Sequence, residues 1–187
     1  MTREEAWALV QQNTPSDSLQ RHMLGVEACM RFLAERQGED QELWGLAGLL
    51  HDFDYELHPE DHPLWGMALL EEKGVDASVI RAIAAHYPDK TGVEPESPME
   101  RALFACDELS GFVTACVYVR PSRSIMDLEV KSVTKKFKTP AFAAGVNRDD
   151  VRRGAELLGV TLEELIQLVI DGMKAKADEL GLAGAEG

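Results

Sequence analysis

The stretch Ala47-Gly48-Leu49-Leu50-His51-Asp52-Phe53-Asp54 runs an apolar helix straight into an imidazole and a carboxylate. Leu43, Leu46, Leu49 and Leu50 recur at helical spacing, and Asp40 stands where a cap would open that helix. Polar groups emerging from an apolar helix are expensive to bury unless something pairs with them, and a metal ion does that well. Neighbouring side chains at 51 and 52 leave the helix in different directions, so each can reach one ion or a pair of ions. By itself the dipeptide says little, because His-Asp also arises by chance.

Working outward, all five histidines lie in the first half of the chain: His22, His51, His58, His62 and His86. His22 sits beside the apolar stripe of Leu19, Met23 and Val26, where a histidine is either a hydrogen-bonded core residue or a ligand. His86 ends the run Val79 to Ala85, where it either caps carbonyls or turns to a site. Asp107 interrupts the apolar stretch Ala102-Leu103-Phe104-Ala105-Cys106, and an ionised carboxylate there needs a cation or several donors. His58 reads as an exposed loop residue or as a proton donor.

The chain has 187 residues, 45% of them hydrophobic and 28% charged, which suits a single globular domain over 1–187 with a sizeable core. No apolar run approaches the ~20 residues of a membrane span, and the first residues lack the pattern of a signal peptide. Cys29, Cys106 and Cys116 are odd in number and show no metal or redox spacing, which fits reduced thiols and a cytoplasmic setting. A net charge of −14 argues against nucleic acid and anionic membranes as partners. Oligomeric state leaves no trace in the pattern.

Helix signals run nearly throughout, so the expected fold class is all-α. Thr2 opens a first helix with a capping box, Ser16 or Asp17 a long second one, and further helices are expected over 63–73, 76–87 and 98–118. Residues 119–147 are broken by Pro121 and Pro140, leaving Lys131 to Lys136 either a short helix or irregular. Asn147 caps a helix from Arg148 to Leu158, and Thr161 one reaching about Leu180. The Gly- and Ala-rich tail from Gly181 to Gly187 reads as frayed.

The order His22, His51-Asp52, His62, His86, Asp107 resembles the HD superfamily of metal-dependent phosphohydrolases. The segment His62-Pro63-Leu64-Trp65-Gly66 resembles the H-P-x-x-G stretch of its HDIG branch. The likeness covers about residues 16–112. It implies an HD-type helical bundle, with a core about 16–118 and a C-terminal helical extension about 119–180. It implies that His22, His51, Asp52 and Asp107 hold one metal, and that Asp52 bridges to a second held by His62 and His86. Asp52 and His51 would then be catalytic. The mixed ligand set suits two divalent transition metal ions, Fe, Mn, Zn, Ni or Co, rather than calcium. Water between the ions would attack the phosphorus of a small phosphorylated substrate, a nucleotide among the candidates. This chain departs from the branch in carrying Phe53-Asp54 instead of Ile-Gly, Tyr55 and Glu56 instead of a lysine, and no Gly-Tyr-Pro after His86.

One basic segment stands out in the acidic chain. Lys131, Lys135, Lys136, Lys138 and Arg148 are candidates for contact with a substrate phosphate, or else line a solvated face. Arg148 at a helix start opposes the helix dipole and so points to another task. Two other functions share the ligand pattern: a di-iron oxygenase, and a non-catalytic module in which the metals are structural.

Overall fold

The computed structural model describes residues 1–184. Ten helices and no strand occur among the described residues: α1 Arg3–Asn13, α2 Asp17–Gln37, α3 Gln41–Leu50, α4 Leu64–Glu72, α5 Ala77–His86, α6 Pro88–Thr91, α7 Pro98–Tyr118, α8 Val130–Phe137, α9 Arg148–Leu158 and α10 Leu162–Lys174. The all-α expectation is met.

Side chains at the helix starts explain most of these boundaries. Thr2, Ser97 and Thr161 each form a capping box with the glutamate three residues on. Ser16, Asp40, Asp76 and Asn147 accept from the first free N–H groups of α2, α3, α5 and α9. The turn α6, after His86, is an element that the periodicity did not signal.

The long α7 is the axis of the fold, packed by α2, α5, α9 and α10, with α3 against α2. Leu103, Leu109, Phe112 and Val113 of α7 are completely buried, as are Met23, Val26 and Met30 of α2. Two glycines set how closely the helices approach. A Cβ on Gly48 would lie 2.9 Å from the backbone of Glu27, and one on Gly154 would lie 2.7 Å from the Cα of Ala105. The first seats α3 on α2, and the second brings α9 onto α7 two residues before Asp107.

The last part of the chain departs from expectation twice. Helix α10 stops at Lys174, and turns follow to Gly181. The tail is pinned rather than frayed through residue 184: Leu182 is 1% exposed, its carbonyl accepts from the Ile125 N–H at 2.7 Å, and Ser124 Oγ donates to the Ala183 carbonyl at 2.8 Å. Burial of one leucine plus these bonds outweighs the freedom of the flanking glycines. Residues 185–187 of the expected frayed segment lie outside the described residues. In the segment 119–147, α8 is helical and the remainder is irregular.

Candidate metal centre

Helices α2, α5 and α7 and the end of α3 deliver His22, His86, Asp107 and the His51-Asp52 pair to one place, and the turn 51–63 adds His62. His22 Nε2 lies 3.0 Å from Asp107 Oδ1 and 3.3 Å from His51 Nε2, and His51 Nε2 lies 3.3 Å from Asp107 Oδ1. Asp52 faces both ways. Its Oδ2 is 3.4 Å from His51 Nε2 and 3.8 Å from His22 Nε2, while its Oδ1 is 3.3 Å from His62 Nε2 and 3.5 Å from His86 Nε2. The six residues form two groups that could each hold an ion, with Asp52 common to both.

What the four imidazoles do with their other nitrogen settles the chemistry of the cluster. His51 Nδ1 lies 2.8 Å from the Gly48 carbonyl and His86 Nδ1 2.5 Å from the Ile83 carbonyl, and a carbonyl can only accept, so both Nδ1 atoms carry protons. Ser110 Oγ donates to the Asp107 carbonyl at 2.9 Å, so the His22 Nδ1–H donates to Ser110. Asp54 Oδ1 takes the His62 Nδ1–H at 2.7 Å. Every neutral imidazole therefore turns an Nε2 lone pair inward, toward two carboxylates. Such a set of acceptors repels itself unless a cation sits among them. Donors each about 2.1 Å from a common ion stand about 3.0–3.4 Å apart, and most of the separations here fall in that range. The residues fit divalent metal.

The local field agrees. Complete burial opposes charge on His51, but Asp52 and Asp107 outweigh it and raise its pKa well above the ordinary imidazole value. Burial likewise pushes Asp52 and Asp107 up, and His51, with His86 for Asp52 and His22 for Asp107, reverses this and holds both carboxylates well below the usual range. Positive charge is favoured at this spot, from a proton or from a metal.

Asp54 is the residue that the sequence pattern treated as a mismatch. It is 1% exposed, holds His62 through Oδ1, and accepts the Gly66 N–H at 2.8 Å through Oδ2. A carboxylate behind a ligating histidine fixes its tautomer and orientation. Asp54→Ala is expected to weaken metal binding at the His62 and His86 group by about 10–100-fold while sparing the other group. Chelator competition measures this, and unchanged affinity at both groups would show that His62 needs no such support.

A groove of about 570 Å³ opens over the cluster. Outside the ligands its walls carry the acids Asp89, Glu108 and Asp150 among apolar and aromatic residues, and Arg153 is the one cation among the described lining residues. Burial, with Asp107 nearby, raises the Glu108 pKa, and burial with Asp89 raises that of Asp150. Arg153 pairs with Glu94 and lies over the Phe104 ring. These wall residues from α9 escaped the sequence reading, since nothing along the chain signals that α9 lies beside Asp107.

The basic segment is elsewhere. Lys131 pairs with Glu129 at 2.7 Å, Lys135 and Lys136 line a separate cavity with Cys116 and Arg120, Lys138 is exposed, and none of the four lines the groove. Arg148 aims its Nε and both terminal nitrogens at the carbonyls of Phe137, Thr139, Phe142, Ala143 and Val146, which commits all five of its N–H groups to backbone. It stitches the irregular 137–146 stretch and has no donor left for a substrate. His58, neither free in solvent nor at the cluster, stacks on Trp65 with ring centroids 3.7 Å apart.

Comparison with known proteins follows the same segment. Residues 19–111 match the family model described as HD domain. Ribonuclease Y 2 of Levilactobacillus brevis is 36% identical over 93 residues, which is 48% of this chain and 17% of that protein. The chain thus spans less than a fifth of the relative's length. No solved structure matches it.

Proposed function

From the premise that this chain carries an HD domain over residues 19–111, we propose that it is a metal-dependent phosphohydrolase cleaving a phosphate ester of a small molecule. The observation that carries the reading is the inward set of four Nε2 lone pairs divided between the two oxygens of Asp52. His22, His51, Asp52 and Asp107 would hold one divalent ion, and Asp52, His62 and His86 a second. Bound ions supply Lewis acidity toward water and toward a phosphoryl oxygen.

The chain's own residues do the rest. Gly48, Ile83, Asp54 and Ser110 fix four imidazoles by their far nitrogens, so that the donors need no rearrangement. The relative is a ribonuclease, and phosphate ester hydrolysis is the chemistry that the matched segment would share with it. A polyanion needs many phosphates neutralised, whereas this chain has net charge −14 and three acids on the groove wall. A small ester with one phosphate fits better than RNA.

Protein purified without added metal should hold about two transition metal ions per chain, with Asp52 shared between them. His62→Ala or His86→Ala should lower this toward one while the other group stays filled. Elemental analysis reads the number, and a single ion unaffected by either change would exclude the dinuclear centre. The functional test is phosphate release from a panel of phosphorylated small molecules and one oligoribonucleotide, with Mn²⁺ and without oxygen. Oxygen uptake by an iron-loaded protein, with no phosphate released from any of them, would overturn the hydrolase in favour of an oxygenase.

A further inference from the structure

Beside the metal groove lies a second cavity of about 380 Å³, within the range of about 300–1,000 Å³ typical of small-molecule sites. Leu19, His22, Tyr55 and Gly111 line both, so the two spaces adjoin. The second is walled by Leu19, Tyr55, Tyr118, Leu180 and Leu182, with Arg21, Glu56 and short hydroxyl side chains at its polar edge. Tyr55 and Tyr118 are about half exposed.

One stripe of α7 runs from the metal ligands into this cavity. Asp107, Gly111, Thr114 and Tyr118 are spaced four, three and four apart, which places them on one helix face over roughly 16 Å. Gly111 is the informative member. Glycine inside a helix is less stable than alanine, so a helical glycine usually has a packing reason. Gly48 and Gly154 have one, since a Cβ would strike a neighbouring helix. A Cβ on Gly111 would meet nothing within 4 Å. It would project into open space where the two cavities share their lining.

We propose that Gly111 keeps this space open for a substrate whose phosphate lies at the metal groove and whose flat apolar leaving group lies between Tyr55, Tyr118 and Leu182. The substrate class is then a phosphate monoester of an aromatic or similarly flat alcohol, a nucleoside being one member. This rests on the hydrolase reading above for its reaction. The bond between phosphorus and the ester oxygen breaks, the oxygen of water joins phosphorus, and a proton of that water goes to the released alcohol.

The test compares wild type, Gly111→Ala and Gly111→Leu on 1-naphthyl phosphate and methyl phosphate, with Mn²⁺. Each comparison is made within one ester, so the intrinsic reactivities of the two esters cancel. Gly111→Leu should raise KM for 1-naphthyl phosphate by roughly tenfold or more, Gly111→Ala less, and in each variant any rise for methyl phosphate should be several-fold smaller than the rise for 1-naphthyl phosphate. Metal content and melting temperature, measured alongside, should not fall. Fluorescence titration of 1-naphthol into metal-free protein reads the cavity without catalysis. Its affinity should drop by a similar factor in Gly111→Leu. Equal loss on both esters, or naphthol that binds neither protein or both alike, overturns the proposal. If neither ester is hydrolysed but naphthol binding responds to Gly111→Leu, the hydrolase reading fails and the apolar subsite stands.

Discussion

Asp52→Ala is expected to lower phosphate release at saturating Mn²⁺ by well over about a hundredfold, beyond what loss of an outer supporting residue typically causes. Each histidine of the cluster belongs to one group of donors. Asp52 belongs to both, with Oδ2 toward His22 and His51 and Oδ1 toward His62 and His86. Removing it takes a negative donor from both groups at once, which added metal would not restore. The loss should therefore exceed that of any single histidine change. Removing an acid from a crowd of acceptors leaves no orphaned donor, so the metal-free fold should survive and circular dichroism should be unchanged. Activity within about tenfold of wild type would exclude the assigned role.

Arg148→Ala should have the largest effect on stability, about 2–4 kcal/mol, because hydrogen bonds to a charged group are worth about 1.5–3 kcal/mol and their loss leaves carbonyls unpaired. At the size of this chain the melting temperature should fall by roughly 5–15 °C. The guanidinium also lies over the rings of Phe112 and Phe137, at 5.2 and 5.6 Å from their centroids. Arg148→Lys should not rescue it, since an ammonium offers three donors and no planar fork. Alanine at Lys131, Lys135, Lys136 or Lys138 should each cost under about 0.5 kcal/mol, as expected for solvated side chains. A melting temperature for Arg148→Ala within about 2 °C of wild type would remove its structural role.

The six candidate ligands were legible only jointly, through the resemblance of their order to the HD superfamily, since His22 and His86 taken singly also read as core or capping residues. The helix starts were legible through Thr2, Ser16, Asp40, Asn147 and Thr161, whose side chains act locally. Asp54 was hidden because its partner is His62, and only the turn between them brings the two together. Arg148 and the four lysines read alike in sequence, as positive charge in one segment. Only the tertiary structure separates an arginine facing five carbonyls from lysines that make no such backbone bonds. Asp150 and Arg153 on the groove wall were hidden for a similar reason: α9 is brought beside Asp107 through the close contact of Gly154 with Ala105. In the tail, composition suggested fraying, and one leucine with a place to go outweighed it.

The pinned tail also divides labour along the chain. The six donors lie between positions 22 and 107, inside the segment that matches the HD family, whereas Tyr118, Leu180 and Leu182 lie beyond it. Substitutions at these later positions can reshape the second cavity while leaving every donor distance intact. Two chains with the same histidines and aspartates can therefore inherit one chemistry and diverge in what they release. On the proposed reading, the segment 19–111 supplies the donors together with Tyr55 and Gly111, and the later positions Tyr118, Leu180 and Leu182 complete the cavity for the leaving group.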